Sequence, residues 1–330
     1  MTSEPGLSRA VDSPAVGDAP WRTRGRARRI GYALLPGDAF SYILHLRPRE
    51  WPIMAAHTAL GVVLAAILGA SAPGATAGLV PAGALAVVIW VLLLNGGTLA
   101  INSAFDRDEG DVGYLDAPPP PPRHLVAYSL GLLVGGQVLA FLLPPVFVAL
   151  YAVCFAMSVL YSVPPVRLKA VAGVDWVINI VGFGALTPLA GWAATGRPVE
   201  DSALWIFGGF GALFAALYPL TQLYQLEEDR ARGDRTLAIA IGLRASLLVA
   251  LVAALLAFGA FAVGLRLADV SASRLLLLTP AVSAWFIVLV RWLVRCERMT
   301  SVEHQRGMYG ALGAWALTDI AIVVAGWGTG

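Results

Sequence analysis

With 330 residues, 58% of them hydrophobic and only 13% charged, the chain departs from soluble domains, which carry about 25% charged residues. Its mean hydropathy of +0.73 excludes an ordinary soluble globular protein. The net charge of +2 is small, and nucleic acid is not expected as a partner.

The chain opens on a polar stretch in which Arg22, Arg24, Arg26, Arg28 and Arg29 crowd together. Residues 1–30 lack an apolar core with a small-residue cleavage site, so they read as a disordered basic cytoplasmic tail rather than a signal peptide. Residues 31–50 mix aromatics, Leu and Arg, as an interfacial helix or linker would. From residue 51 onward the pattern changes. A spanning helix needs roughly 20 apolar residues, and nine stretches qualify: Pro52–Ala70, Leu79–Ile101, Leu125–Leu142, Val146–Val163, Ala172–Ala193, Ala203–Tyr224, Ala245–Val263, Leu275–Val294 and Tyr309–Trp327. Residues 51–330 are therefore expected to form an all-α, polytopic membrane domain, a single bundle of about nine helices.

Nine spans sort the charges. Of the 23 Lys and Arg, only Arg197, Arg266 and Arg274 fall on one side of the bilayer. Positive charge marks the cytoplasmic side, so the N-terminus is expected inside a bacterial cytoplasmic-type membrane. The two cysteines, Cys154 and Cys296, and the four scattered histidines have no spacing that makes a disulfide framework or a zinc site.

Acidic and amide residues gather at two loops on the positive side. The second helix closes on Asn102, Asp106, Asp108, Glu109 and Asp111. Asn102 and Asp106 are one turn apart and share a face. Carboxylates this close raise each other's pKa unless a cation sits among them, and oxygen ligands of this kind suit Mg²⁺. The sixth helix closes on Gln222, Gln225, Glu227, Glu228, Asp229 and Arg230, with Gln222, Gln225 and Asp229 spaced to share a helical face. Between these clusters, the loop after the fourth helix runs Tyr161-Ser-Val-Pro-Pro-Val-Arg167-Leu-Lys169. Lys169 is the sole lysine of an arginine-biased chain, as a compact point charge for phosphate would be. Asp175 and Asn179, one turn apart in the fifth helix, are expected to face the bundle interior rather than lipid.

Together these segments resemble the UbiA-type membrane prenyltransferases, which carry an N-D-x-x-D-x-x-x-D pattern after the second helix, a Tyr and Lys loop after the fourth and a D-x-x-D-x-E-x-D pattern after the sixth. Tyr161–Lys169 is very similar to one form of that loop, and Glu228–Leu237 resembles the continuation of the last pattern. The resemblance implies a helical bundle around a central cavity, with its active site at the cytoplasmic face. It also implies transfer of a prenyl group from a prenyl diphosphate to a hydrophobic acceptor through an allyl cation, with Mg²⁺ as cofactor. Asp106, Asp108, Glu109, Asp111, Gln225, Glu227 and Asp229 would hold the metal. Lys169, Arg167 and Tyr161 would be catalytic, and Asn102, Asp175, Asn179, Arg123 and Arg230 would contact substrate.

The departures mark a divergent subgroup. Ser103 follows Asn102 where Asp is usual, and Gln222 and Gln225 replace carboxylates, so the second metal site is expected to be the weaker. Pro118–Pro122 inserts a stiff polyproline strut near the site mouth. The alternatives are a terpene cyclase of the same type, needing the diphosphate alone, and a transporter. Polar groups gathered at one membrane face rather than the midplane favour an enzyme.

Overall fold

A computed structural model describes residues 20–69, 79–106, 111–171, 173–227, 230 and 236–327. Among them, nine apolar helices follow one another: α1 (Trp51–Leu68), α2 (Leu79–Asp106), α3 (Leu125–Ala140), α4 (Pro145–Ser162), α5 (Val174–Ala193), α6 (Asp201–Gln222), α7 (Leu243–Leu267), α8 (Ala272–Arg298) and α9 (Ser301–Gly326). Eight are long and apolar enough to cross a membrane. The other, α3, has 16 residues and rises about 24 Å, near the lower limit for a span. The chain is a multi-pass integral membrane protein.

Local chemistry sets the boundaries. Proline stands in the first turn of α1 and α4, where its missing N–H costs nothing. Helix α9 starts with a capping box, Thr300 and Glu303 each satisfying the other's backbone N–H. Helix α6 ends at Gln222, two residues before the expected Tyr224, and the chain turns at Leu223 and Tyr224. The shared helical face expected of Gln222 and Gln225 is thereby lost.

Two helices are locally widened into π turns, Val88–Asn95 in α2 and Ile180–Leu186 in α5. Such turns are rare and re-aim side chains by inserting residues into the helical register.

Packing forms two apolar clusters. The larger joins α1, α6, α7, α8 and α9, with Phe210 at its centre, its ring 4.8 Å from Phe261 and 5.1 Å from His57. The smaller joins α2, α3, α4 and α5 around Trp90, Phe147 and Tyr151. Helices α1 and α5 bridge them through reciprocal glycines. A Cβ on Gly61 would lie 1.7 Å from the Pro188 carbonyl oxygen, and one on Gly191 would lie 1.9 Å from that of Thr58. Small residues permit this close approach of membrane helices.

Ahead of α1 the chain is helical at Pro20–Thr23, Arg26–Leu34 and Ala39–His45. Helix therefore begins inside the segment expected to be a disordered tail. The reason is tertiary: the Arg28 guanidinium donates to the backbone carbonyls of Asp116 and Ala117, and Arg49 pairs with Asp116 at 2.6 Å. The N-terminal arginines thus clamp the loop between α2 and α3.

Candidate active site

At one end of the bundle, Asn102 and Asp106 stand a turn apart on the last stretch of α2 and reach the loop after α4. The Lys169 ammonium donates to Asn102 Oδ1 at 2.8 Å and forms an ion pair with Asp106 Oδ1. Arg167 Nη2 reaches the same Asp106 oxygen at 3.2 Å. Ser162 Oγ donates to Asn102 Oδ1 at 3.4 Å, tying the end of α4 to the same point. Lys169 and Asp106 are largely buried, their side chains 12% and 17% exposed, while Arg167 is more open.

Behind this polar end lies a cavity of about 320 Å³ where the two apolar clusters meet. Asn102, Tyr161, Asn179 and Tyr218 line it near the ion pair, and Trp90, Phe183, Phe214 and Leu217 line its apolar wall. Both widened turns contribute to it, through Trp90 and Leu94 from α2 and Gly182 and Phe183 from α5.

Asp175 and Asn179 are buried, facing the interior as expected. Asn179 donates to the Tyr161 hydroxyl at 3.3 Å and to the Asp175 carbonyl at 2.8 Å. The Asp175 carboxylate accepts from the Tyr218 hydroxyl at 3.1 Å and from the Gly173 N–H at 3.0 Å. With both oxygens engaged, Asp175 orients Tyr218 on the cavity wall.

Other expected site residues are placed differently. The Asp111 carboxylate accepts from the Ala117 N–H at 2.6 Å and faces Arg24 at 3.6 Å, so it holds its own loop. Gln225 donates to the Asp111 carbonyl at 3.4 Å, joining the α2 and α6 loops. The Gln222 side chain, buried, accepts from the Ala238 N–H at 3.1 Å and serves the turn into α7. Glu227, Arg123 and Arg230 are exposed. Asp108, Glu109 and Asp229 lie outside the described residues. Among the described residues no three His, Cys, Asp or Glu side chains converge.

The residues present fit a hard cation at one point. Asn102 Oδ1 and Asp106 Oδ1 converge on the Lys169 ammonium, a positive charge held by two oxygens, one neutral and one anionic. Mg²⁺ asks for oxygen ligands of this type, completed by water and substrate phosphate.

Glu50, Asn95 and Tyr114 also line the cavity, and Glu50 and Tyr114 carried no signal in the sequence. Glu50 stands just before α1, Tyr114 in a tight turn closed by the paired backbone bonds of Val112 and Leu115. The buried Asn95 amide lies beside Glu50 but outside hydrogen-bonding geometry. Burial pushes the Glu50 carboxyl up from near 4.5 to about 7, against the pull of Arg47 and Asn95. Burial likewise raises the Tyr114 hydroxyl, and Glu50 adds to that shift.

A folded-state pKa above the unfolded value means that the folded protein binds the proton more tightly. The stability from this group is full below about pH 4.5 and is lost as pH rises through about 7. The thermal midpoint of the detergent-solubilised protein should therefore fall relative to a Glu50→Gln variant between those values. Parallel curves for the two proteins would reject the shift.

A sequence profile of the UbiA prenyltransferase family matches residues 58–309. The chain belongs to that family. It is 34% identical over 171 residues to a digeranylgeranylglyceryl phosphate synthase from Natronomonas pharaonis, which is 51% of this chain and 60% of that protein. This UbiA-family chain thus spans less than two thirds of that synthase. It is 28% identical over 219 residues to a lycopene elongase/hydratase from Haloferax volcanii, covering 63% of this chain and 67% of that one. Its fold is that of a UbiA homolog from Archaeoglobus fulgidus bound to DMAPP and Mg²⁺, with a TM-score of 0.62 at 18% identity over 85% of this chain and 99% of that one.

Proposed function

We propose that this UbiA-family protein transfers a prenyl group from a prenyl diphosphate to a hydrophobic acceptor, at the cytoplasmic face of the membrane. The observation that carries this reading is the cluster of Lys169, Arg167 and Asp106 around Asn102, which lines one end of a cavity with an extended apolar wall. Cations and oxygen ligands suit a diphosphate, and the apolar space suits an isoprenoid tail.

The scissile C–O bond breaks with its electron pair passing to the diphosphate, and the acceptor then forms a new bond to the prenyl carbon and gives up a proton. Asn102 and Asp106 would hold Mg²⁺, which when bound supplies neutralisation of the diphosphate charge. Lys169 and Arg167 face that same developing charge and stabilise it where it appears. Tyr161 and Tyr218, oriented by Asn179 and Asp175, turn polarisable rings toward the cavity and the allyl cation. The apolar walls exclude water, which would otherwise quench the cation. The names of the relatives make a lipid-like acceptor the first to test.

The test is diphosphate release by the purified protein from a panel of prenyl diphosphates, with and without Mg²⁺ and with and without a membrane lipid extract. Release that requires both supports the transferase. Release of diphosphate with a cyclic hydrocarbon and no extract would replace it by a cyclase. Silence with every donor in a folded sample would overturn catalysis.

A further inference from the structure

A second cavity, of about 300 Å³, lies between α8 and α9 and shares no residue with the first. It opens at the same end of the bundle, where α8 finishes and α9 begins. Arg291 and Arg295 line it from α8, Arg306 from α9, and Glu303 is its one acidic residue. Its floor is rigid. The Trp292 indole donates to His304 Nδ1 at 2.8 Å, and its ring packs on the bare backbone of Gly307, where a Cβ would approach it to 2.7 Å.

The charges do not balance inside the groove. Arg295 faces Glu303 at 3.3 Å, and that carboxylate also accepts from the N–H and hydroxyl of Thr300 as the cap of α9. Among the described residues, Arg291 and Arg306 make no side-chain hydrogen bond and no ion pair within 4.0 Å, although Arg306 adds to the electrostatic pull on Glu303. Arg291 is also badly placed to go without a partner. On the same outer surface of α8, Ile287, Val290 and Val294 are exposed, so a guanidinium stands among side chains that face lipid. A cation at such a surface demands an anion or a route to the headgroup layer.

We propose that this groove is a binding site for an anionic phospholipid of the surrounding bilayer, its headgroup phosphate held by Arg291 and Arg306. The guanidinium fork matches phosphate in a bidentate manner. Basic pockets between membrane helices take up such headgroups. A lipid is favoured over a soluble anion because the groove continues into apolar wall: Ile287 and Val288 lie about one turn deeper along α8 than Arg291, where an acyl chain would run.

The experiment is native mass spectrometry of the full chain in detergent, given phosphatidylglycerol and phosphatidylcholine of matched acyl chains in equal amounts. The parent should retain phosphatidylglycerol in preference. Arg291→Gln and Arg306→Gln should each lower that preference about fivefold, and the double variant roughly twentyfold. Arg298→Gln, an exposed cation outside the groove, should leave it unchanged. The two single variants decide the matter even when the double variant does not fold. Equal retention of both lipids by the parent, or undiminished preference in the single variants, would overturn the proposal. Displacement of the lipid by millimolar inorganic phosphate would also overturn it, by making the groove a soluble-anion site.

Discussion

Asp106→Asn lowers turnover of prenyl diphosphate by about a thousandfold while the protein stays folded. The magnitude is that expected if Asp106 holds the metal and orders cations around the leaving group, as proposed above. The substitution keeps the size of the side chain and removes only its charge. Lys169 retains its bond to Asn102 at 2.8 Å, so no buried ammonium is stranded. Thermal midpoint and diphosphate release measured on the same preparation separate folding from chemistry. Activity within tenfold of the parent would place the reaction elsewhere in the molecule.

Lys169→Gln costs about a hundredfold in kcat with a smaller change in KM, because charge on the diphosphate grows as the C–O bond breaks and is greater in the transition state than in bound substrate. Arg167, which reaches the same Asp106 oxygen at 3.2 Å, remains to supply part of the stabilisation. Lys169→Arg does not restore full activity: the niche leaves the lysine side chain only 12% exposed, and a guanidinium is a wide planar fork rather than a compact charge. Since Lys169 and Asp106 form one ion pair, the double variant is expected to lose little more than Asp106→Asn alone. Full additivity of the two losses would show that they act independently. A KM effect equal to the kcat/KM loss would make Lys169 a ground-state binding group.

The helices were legible because lipid offers the backbone no hydrogen bonds, so each crossing must be a continuous apolar helix. The pairing of Asn102 with Asp106 was legible too, since a spacing of four residues on a helix puts two side chains on one face. That both meet Lys169 depended on the end of α4 returning to α2, which spacing alone does not reveal.

Other parts of the site had no local signature. The π turns of α2 and α5 differ from the flanking α-helix in which carbonyl each N–H selects, which no apolar periodicity marks. Glu50 and Tyr114 come from segments that read as juxtamembrane linker and loop, and both line the cavity, where arginines ahead of α1 clamp the α2–α3 loop. Asp111 looked like a member of an acidic cluster, yet the Ala117 N–H and Arg24 engage its carboxylate. Gln222, set where the family carries a carboxylate, closes a turn by accepting from Ala238.

Membrane class and the order of the spans follow from the chain alone, because solvent and helical period act along it. Which polar groups face the cavity and which lock loops is set by packing between helices, because a side chain takes whichever partner its neighbour brings within about 3 Å.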